Sequence, residues 1–182
     1  MKTESTVKFV LRLALTLLAI TSVVAVALAG VNMVTAPAIA ELNAKNTQAA
    51  IEAVLPGGGE ELAEFPAVDL VSKVYASEAG YAVQVTPGGF DNTITMMVGV
   101  DNDGKVLGIS IISHTETAGL GAVAAAGTPA GESFRNQFVG TSGSVAVTKD
   151  GGAMDAITGA TITSRAICVG VNAALECAAN LG

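Results

Sequence analysis

One uncharged segment near the N-terminus limits what this chain can fold into. No residue from Leu13 to Ala40 is charged, and the part from Leu13 to Val34 is almost wholly apolar. About 20 residues of this kind cross the roughly 30 Å hydrocarbon core of a bilayer as a helix. We therefore expect a tail over residues 1–12 and a transmembrane helix over residues 13–34.

The charges that flank this segment predict its orientation. Lys8 and Arg12 precede it and Glu41 follows it, and positively charged flanks stay on the cytoplasmic side. A cleaved signal peptide is the alternative, because Ala27–Ala29 fits a small-x-small cleavage site, but its apolar region would span only about 7–15 residues. In both cases the body of the chain lies outside the cytoplasm. A retained transmembrane helix makes the chain a single-pass protein of the cell membrane.

The body of the chain is acidic. The formal net charge of the 182 residues is −7, while three cations and one acid give the first twelve residues +2, so the remainder carries −9. An acidic surface repels nucleic-acid phosphates, which argues against a nucleic-acid partner.

A linker is expected over residues 35–64, between the anchor and a domain over residues 65–182. Pro37 suits the first turn of a helix, and Pro56-Gly57 suits its end. The stretch from Pro56 to Glu64 is rich in Gly and Glu and predicts a loop.

The remaining sequence alternates in the manner of β-strands. Val, Ile, Tyr and Thr are frequent in segments that turn residues separate. The segments are LVSKVYAS, GYAVQVT, TITMMVGV and KVLGISIIS, and a later one is SVAVTK. With helices expected near Glu132–Phe138 and over Ser164–Asn180, the pattern predicts an α+β domain in which helices pack on an antiparallel sheet.

Three local features argue against other kinds of site. Asp101-Asn102-Asp103-Gly104 is expected to be a hairpin turn and not a calcium loop, because Ile112 stands where a calcium loop needs a bidentate Glu. Cys168 and Cys177 would point to opposite faces of the closing helix, which favours two buried thiols over a disulfide. His114 is the only histidine, so we expect it to make a loop hydrogen bond and no metal site.

The stretch DAITGATITSRAICVG, from Asp155 to Gly170, places hydroxyl groups and a glycine directly before a helical pattern. It contains no lysine, which excludes a Walker-type phosphate loop. Gly159 permits close approach of the backbone to a ligand, and a helix N-terminus attracts anions. The alternative is a plain helix cap by Thr163 or Ser164.

The segment Asp155-x-x-Thr158-Gly159-Ala160-Thr161 resembles the flavinylation motif of the covalent FMN-binding domain family. The resemblance implies that Thr161 carries FMN through a phosphoester bond. It also implies that Thr158, Gly159 and Ala160 form the recognition segment and the phosphate cradle, and that an FMN transferase recognises Asp155. We place Ser164, at the expected start of the helix, in the same cofactor-binding set.

A second region strengthens the resemblance. Gly88 to Gly121, with its HTETAGLG loop, and SFRNQFVG are similar to the G subunits of Rnf-type ion-translocating oxidoreductases. That likeness implies that Glu116, Thr117, Leu120 and Gly121 line the flavin ring. Ala118 replaces a proline that is common in the family, so we expect a more flexible loop before the flavin binds.

The resemblance covers nearly the whole chain and implies an electron carrier. It predicts a membrane-anchored FMN subunit, bound to the other subunits of a complex that transfers electrons between ferredoxin and NAD and moves Na⁺ or H⁺. No residue is expected to be catalytic by itself. Three alternatives remain: the C subunit of a Na⁺-translocating NADH:quinone reductase, a solitary extracytoplasmic flavin domain, and a non-redox binding module.

Overall fold

The computed structural model describes residues 3–181, and they form two compact units. The first extends to residue 44 and the second begins at residue 45. The boundary lies within one helix, α1, which runs from Thr3 to Val54.

The first unit is the long apolar part of α1. Its large apolar side chains are between 50% and 79% exposed. Pro37 lies inside the helix, and the prediction that a separate helix begins there is wrong. Membrane helices accommodate an internal proline, because neighbouring groups can satisfy the freed backbone carbonyl.

The second unit contains one antiparallel sheet of five strands in sequence order. The strands are β1 (Glu60–Glu61), β2 (Val71–Ser77), β3 (Gly80–Val85), β4 (Thr95–Asp101) and β5 (Val106–Ser113). The predicted α+β class is confirmed. The two-residue strand β1 lies in the stretch predicted to be a loop, because two glutamates and adjacent glycines carry no strand pattern.

Both faces of the sheet are covered within this unit. Successive residues point to opposite faces, so Met96 belongs to one apolar cluster and Met97 to the other. The cluster around Met96 packs against α3 (Thr161–Ala179), and the cluster around Met97 packs against the end of α1. Gly99 permits this second contact, since a side chain there would collide with the Val54 carbonyl.

Three short helices connect the sheet to α3. The helix α2 spans Pro129–Asn136, and its first turn is capped by Thr128, whose hydroxyl accepts a hydrogen bond from the Gly131 N–H. Two 3-10 helices cover Gly121–Ala125 and Thr148–Asp150. α3 begins three residues before the predicted start at Ser164, so both hydroxyl residues thought to cap it lie within its first turn.

The segment SVAVTK is not a strand of the sheet, and that prediction is wrong. Val145 exchanges two hydrogen bonds with the Asn172 side chain of α3, at 2.8 and 2.9 Å. Val147 makes one isolated bridge to Met154, and the chain then enters the second 3-10 helix. Val145 and Val147 face the core, as alternate residues of a strand would. The backbone of Val145, however, pairs with a side chain of α3 and not with another strand.

The smaller predictions agree with the structure. Asp101 closes the β4–β5 hairpin, where its Oδ1 accepts the N–H groups of Asp103 and Lys105. Cys168 and Cys177 are free and buried. Burial raises the pKa of the Cys168 thiol to about 11 and also raises the pKa of Cys177.

Candidate functional site

A cleft of about 670 Å³, measured out to its open mouth, lies in the second unit where α3 begins. Two parts of the chain that are far apart in sequence form its walls: the loop that follows β5 and the loop that leads into α3. The lining residues are Phe90, Glu116, Thr117, Leu120, Gly121, Lys149, Gly159, Ala160, Thr161, Ile162 and Thr163.

The N-terminus of α3 opens into this cleft without a side-chain cap. The residue before the helix is Ala160, which has no group that could accept a hydrogen bond from the first turn. Gly159 has a φ of +78°, a conformation that suits glycine and turns the chain into the helix. The first N–H groups of α3 are therefore available, with the positive end of the helix dipole, to an anionic group in the cleft.

The two threonines of the first turn have different surroundings. Thr161 is partly exposed, and its hydroxyl lies at the cleft. Thr163 is only 2% exposed, and its hydroxyl donates a hydrogen bond of 2.5 Å to Glu116. Of the two, only Thr161 presents a hydroxyl that a modifying enzyme could reach.

A lysine reaches the site from a distant part of the chain. The Lys149 ammonium donates a hydrogen bond of 3.2 Å to the Thr161 hydroxyl. Lys149 lies on the 3-10 helix Thr148–Asp150, upstream of the motif. No local signal in the motif indicates this contact, because the intervening chain folds back on itself around Gly151.

The turn that carries Lys149 is tied to α3 by an ion pair. Arg165 donates two hydrogen bonds of 2.6 Å to the two carboxylate oxygens of Asp150. The hydrogen bond from Arg165 holds the pKa of Asp150 below its usual value, and Asp150 raises the pKa of Arg165. Both side chains face solvent, so the pair fixes the geometry of the turn more than it stabilises the domain.

Glu116 joins three segments of the cleft wall. It is buried; one carboxylate oxygen accepts the Phe90 N–H at 2.8 Å and the other accepts the Thr163 hydroxyl. Its own N–H donates to Nδ1 of His114, which is the predicted loop hydrogen bond. Glu116 is therefore not an ordinary exposed acid, and its contacts connect the loop after β3, the loop after β5 and α3.

Glycines keep the backbone of these segments close together. A side chain at Gly121 would collide with the Glu116 carboxylate and the Thr163 hydroxyl, and one at Gly89 would collide with Glu116. A Cβ at Gly159 would lie 2.9 Å from the Leu120 side chain. Together with the uncapped helix N-terminus, this close packing fits a group with an anionic end and a flat apolar part.

Three residues of the predicted set do not line the cleft. Ser164 is fully buried, donates to the Ala160 carbonyl and accepts the Ile157 N–H, so it stabilises the loop from inside. Asp155 and Thr158 are exposed and face a separate groove that Gln137 also lines. Gln137 exchanges two hydrogen bonds with the Asp155 backbone, which leaves the Asp155 carboxylate on the surface.

The structure adds three lining residues that the sequence did not single out: Phe90, Lys149 and Ile162. Phe90 is 65% exposed and Ile162 is 49% exposed, which is unusual for apolar side chains beside a polar loop. Leu120 is also largely exposed and lies on the opposite wall, so it is not a plain core residue. These three apolar side chains form the apolar rim of the cleft, made of Phe90, Leu120 and Ile162.

Comparison with known proteins agrees with this geometry. Residues 89–176, which contain nearly the whole cleft, match the family model of the FMN-binding domain. The chain is 34% identical to the G subunit of the Na⁺-translocating ferredoxin:NAD⁺ oxidoreductase complex of Acetobacterium woodii, over 96% of this chain and 94% of that protein. The chain belongs to the G-subunit family.

Other G subunits match over shorter parts. The G subunit of the proton-translocating ferredoxin:NAD⁺ oxidoreductase complex of Clostridium ljungdahlii is 40% identical over 56% of this chain and 57% of its own length. The G subunit of the ion-translocating oxidoreductase complex of Pseudomonas aeruginosa is 34% identical over 58% of this chain and 51% of its own length. The match to the G-subunit family and FMN as the cofactor of this domain are thus confirmed as the motifs predicted.

Proposed function

We propose that this G-subunit homologue carries FMN covalently on Thr161 and passes electrons within a membrane-bound, ion-translocating ferredoxin:NAD⁺ oxidoreductase. The observation that carries the proposal is the reachable Thr161 hydroxyl at the uncapped N-terminus of α3, in a cleft with an apolar rim. The buried position of Thr163 supports Thr161 over its neighbour as the acceptor.

The covalent link requires an activated flavin donor and a transferase. The Thr161 hydroxyl loses its proton to a base of the transferase, and its oxygen forms a bond to the phosphorus of the FMN moiety. The bond that breaks is the phosphoanhydride of a flavin dinucleotide, and the nucleoside monophosphate leaves. No oxidant or reductant is consumed in this step.

Different residues of the cleft hold the phosphate and the ring system of FMN. Gly159 and Ala160 allow the first turn of α3 to face the phosphate, and its free N–H groups stabilise negative charge. Thr117, Leu120 and Gly121 form the opposite wall, where the ring system is expected, while Glu116 holds that wall in place through its hydrogen bonds. When bound, FMN supplies one- and two-electron redox chemistry, which its surroundings tune.

Asp155 and Thr158 serve recognition by the transferase in this proposal. They belong to the motif but face a groove outside the cleft. An exposed carboxylate beside the acceptor loop is accessible to a second protein, whereas the buried Ser164 contributes to the loop's shape alone.

The α1 helix anchors the domain in a membrane. Its apolar span carries no ionisable residue from Leu13 to Ala40, and ion pathways through membranes are marked by such residues. Ion transport is therefore assigned to other subunits. The flanking charges support an extracytoplasmic FMN domain, which protease added to intact cells should digest; an N-terminus at Gly30 in the mature protein would instead show a cleaved signal peptide.

Substitution of Thr161 tests the central assignment. The full-length protein, co-expressed with an FMN transferase, should show a fluorescent band on a denaturing gel and one peptide that is heavier by FMN minus water. Thr161→Ala should lose both signals, while Thr163→Ala should keep them. A modified peptide that maps to Thr163 would show that the acceptor is displaced by two residues.

Two further substitutions test the cleft wall that faces Thr161. Leu120→Ala removes an exposed apolar side chain of the rim and should leave flavinylation intact while shifting the midpoint potential of the flavin. Glu116→Gln replaces the carboxylate of the same wall by a neutral amide and should raise the midpoint, because a negative charge near the ring disfavours an anionic reduced flavin. Unchanged potentials and unchanged turnover in both variants would place the ring elsewhere.

A further inference from the structure

We propose that Lys149 binds the phosphate group through which FMN is attached to Thr161. The inference rests on the proposed function, because it concerns the same covalent link. It assigns a role to a residue that lies outside the flavinylation motif and that the tertiary fold alone brings to it.

In the unmodified site, Lys149 already contacts the hydroxyl of the proposed acceptor. The Lys149 ammonium lies 3.2 Å from Oγ1 of Thr161, the atom that becomes the ester oxygen. In a phosphoester the phosphorus is bonded directly to that oxygen, and the two non-bridging oxygens that share the negative charge are one bond further. An ammonium that already contacts the ester oxygen is therefore next to the phosphate once the bond has formed.

The charges of the residues that line the cleft also support phosphate binding by Lys149. A phosphate with two ester links carries one negative charge at neutral pH, and Lys149 is the only cation among the described residues that line the cleft. Glu116 is the only acid there, and both of its carboxylate oxygens already accept hydrogen bonds from protein groups. Hydrogen bonds between ionised partners are about twice as strong as neutral ones.

The surroundings of Lys149 hold it over the first turn of α3. Its 3-10 helix ends at Gly151, whose φ of +84° turns the chain, and the neighbouring Asp150 is clamped by Arg165. Arg165 lies four residues after Thr161 on α3, which is about one helical turn. The turn and the helix therefore keep their relative position, and the lysine stays directed at the acceptor.

The test uses the phosphorus nucleus of the full-length, flavinylated protein in detergent. Lys149→Gln should move the ³¹P resonance of the protein-bound phosphate, since the nearest positive charge is lost. Lys149→Arg should leave it close to the wild-type position. Lys105→Gln is the matched control, because Lys105 is an exposed lysine of the β4–β5 hairpin and its loss should leave the resonance unchanged.

The rate of modification gives a second readout. With the transferase held constant, peptide mass spectrometry should show that Lys149→Gln slows Thr161 modification by about three- to tenfold, as expected for loss of one charge-assisted contact at a solvent-facing site. High salt should reduce the difference between wild type and variant.

The outcomes separate this inference from the proposed function. A wild-type protein without phosphate on Thr161 would overturn the proposed function. A flavinylated Lys149→Gln variant with an unmoved ³¹P resonance would overturn only the role of Lys149, whatever the rate of modification. A resonance that moves equally in Lys105→Gln would also overturn it, because the effect would then follow from net charge and not from contact.

Discussion

Among the residues that the structure describes, two helices, α1 and α3, are long and apolar enough to cross a membrane, but they differ in their surroundings. The span in α1 has a mean hydropathy of 2.4 and none of its most apolar window is buried; the span in α3 has a mean hydropathy of 1.2 and 61% of that window is buried. Length and composition alone place both in the same class. They differ in how far their side chains are buried.

The covering of α3 comes from the sheet. One face of this helix carries Ile167, Val171 and Ala174, which are fully buried, while Arg165 and Val169 face outward. α1 is apolar on every side between Leu13 and Val34, and its side chains stay exposed. A helix that buries one face against protein is part of a core, whereas one that is apolar all round is typical of a membrane span or of the core of a large protein.

The largest expected difference comes from the same charge placed in each helix. Val171→Asp buries an unpaired carboxylate under the sheet and should destabilise the domain by about 4 kcal/mol or more, so that no cooperative thermal transition remains. Val24→Asp should weaken membrane insertion by about 2.5–3.5 kcal/mol and leave the unfolding temperature of the domain unchanged. Membrane insertion is measured by alkaline extraction of membranes, and domain unfolding by thermal denaturation. Equal effects of the two variants on domain unfolding would contradict the difference between α1 and α3.

A glycine in each helix gives a smaller contrast. A Cβ at Gly170 would lie 3.0 Å from the Pro87 ring and 3.2 Å from Val85, whereas a Cβ at Gly30 would meet nothing within 4 Å. Gly170→Val should therefore lower the free energy of unfolding by about 1–3 kcal/mol through overpacking. Gly30→Val should leave it unchanged, and denaturant titration of both variants compares them. An unaffected Gly170→Val variant would mean that α3 can move away from the sheet.

Thiol reactivity measures the burial of α3 without perturbing its fold. Burial raises the pKa of Cys168 to about 11, so at pH 8 the reactive thiolate is about 100-fold rarer than for a thiol of ordinary pKa. Native protein should react slowly with a thiol reagent, and Val169→Cys, at an exposed position of the same helix, should add one rapidly reacting thiol. Rapid labelling of the wild type would show that α3 opens readily.

The smallest expected effect concerns the ion pair between Asp150 and Arg165 of α3. The pKa of Asp150 is lowered from its usual 3.8 by the Arg165 hydrogen bond, so the pair contributes stability that is present above pH 3.8 and is lost as the pH falls through the lower folded value. Asp150→Asn should lower the unfolding temperature slightly at pH 7, and the gap from wild type should narrow toward pH 3. A gap that widens on acidification would contradict this assignment.

The elements of the fold were largely predictable from the sequence. Strands β2 to β5 follow from their content of Val, Ile, Tyr and Thr and from the turn residues that separate them, which serve even for β4, whose two faces are both buried. The short strand β1 and the non-strand SVAVTK were not predictable, because a two-residue pairing has no pattern and Val145 pairs with a helix side chain. The start of α3 was placed at Ser164 because hydroxyl residues commonly cap helices, whereas here the hydroxyl lies inside the first turn.

The candidate site was predictable where its residues are contiguous. Thr161, Gly159 and Ala160 line the cleft as expected from the motif. The other wall is formed by Glu116, Thr117, Leu120 and Gly121. The roles of Ser164 and Asp155 could not be separated by sequence, because spacing does not show which side of a loop faces a cavity. Thr161 as acceptor remains a prediction until the modified residue is mapped.

Residues that are neighbours along the chain were enough to predict the apolar N-terminal helix, strands β2 to β5 and the motif that marks a flavin-binding family. Two contacts follow from the tertiary structure and not from any local pattern: Thr163 is buried against Glu116, and Lys149 reaches Thr161. Such contacts join residues that are distant in sequence, and they exist only because packing of α3 on the sheet fixes where the connecting loops return.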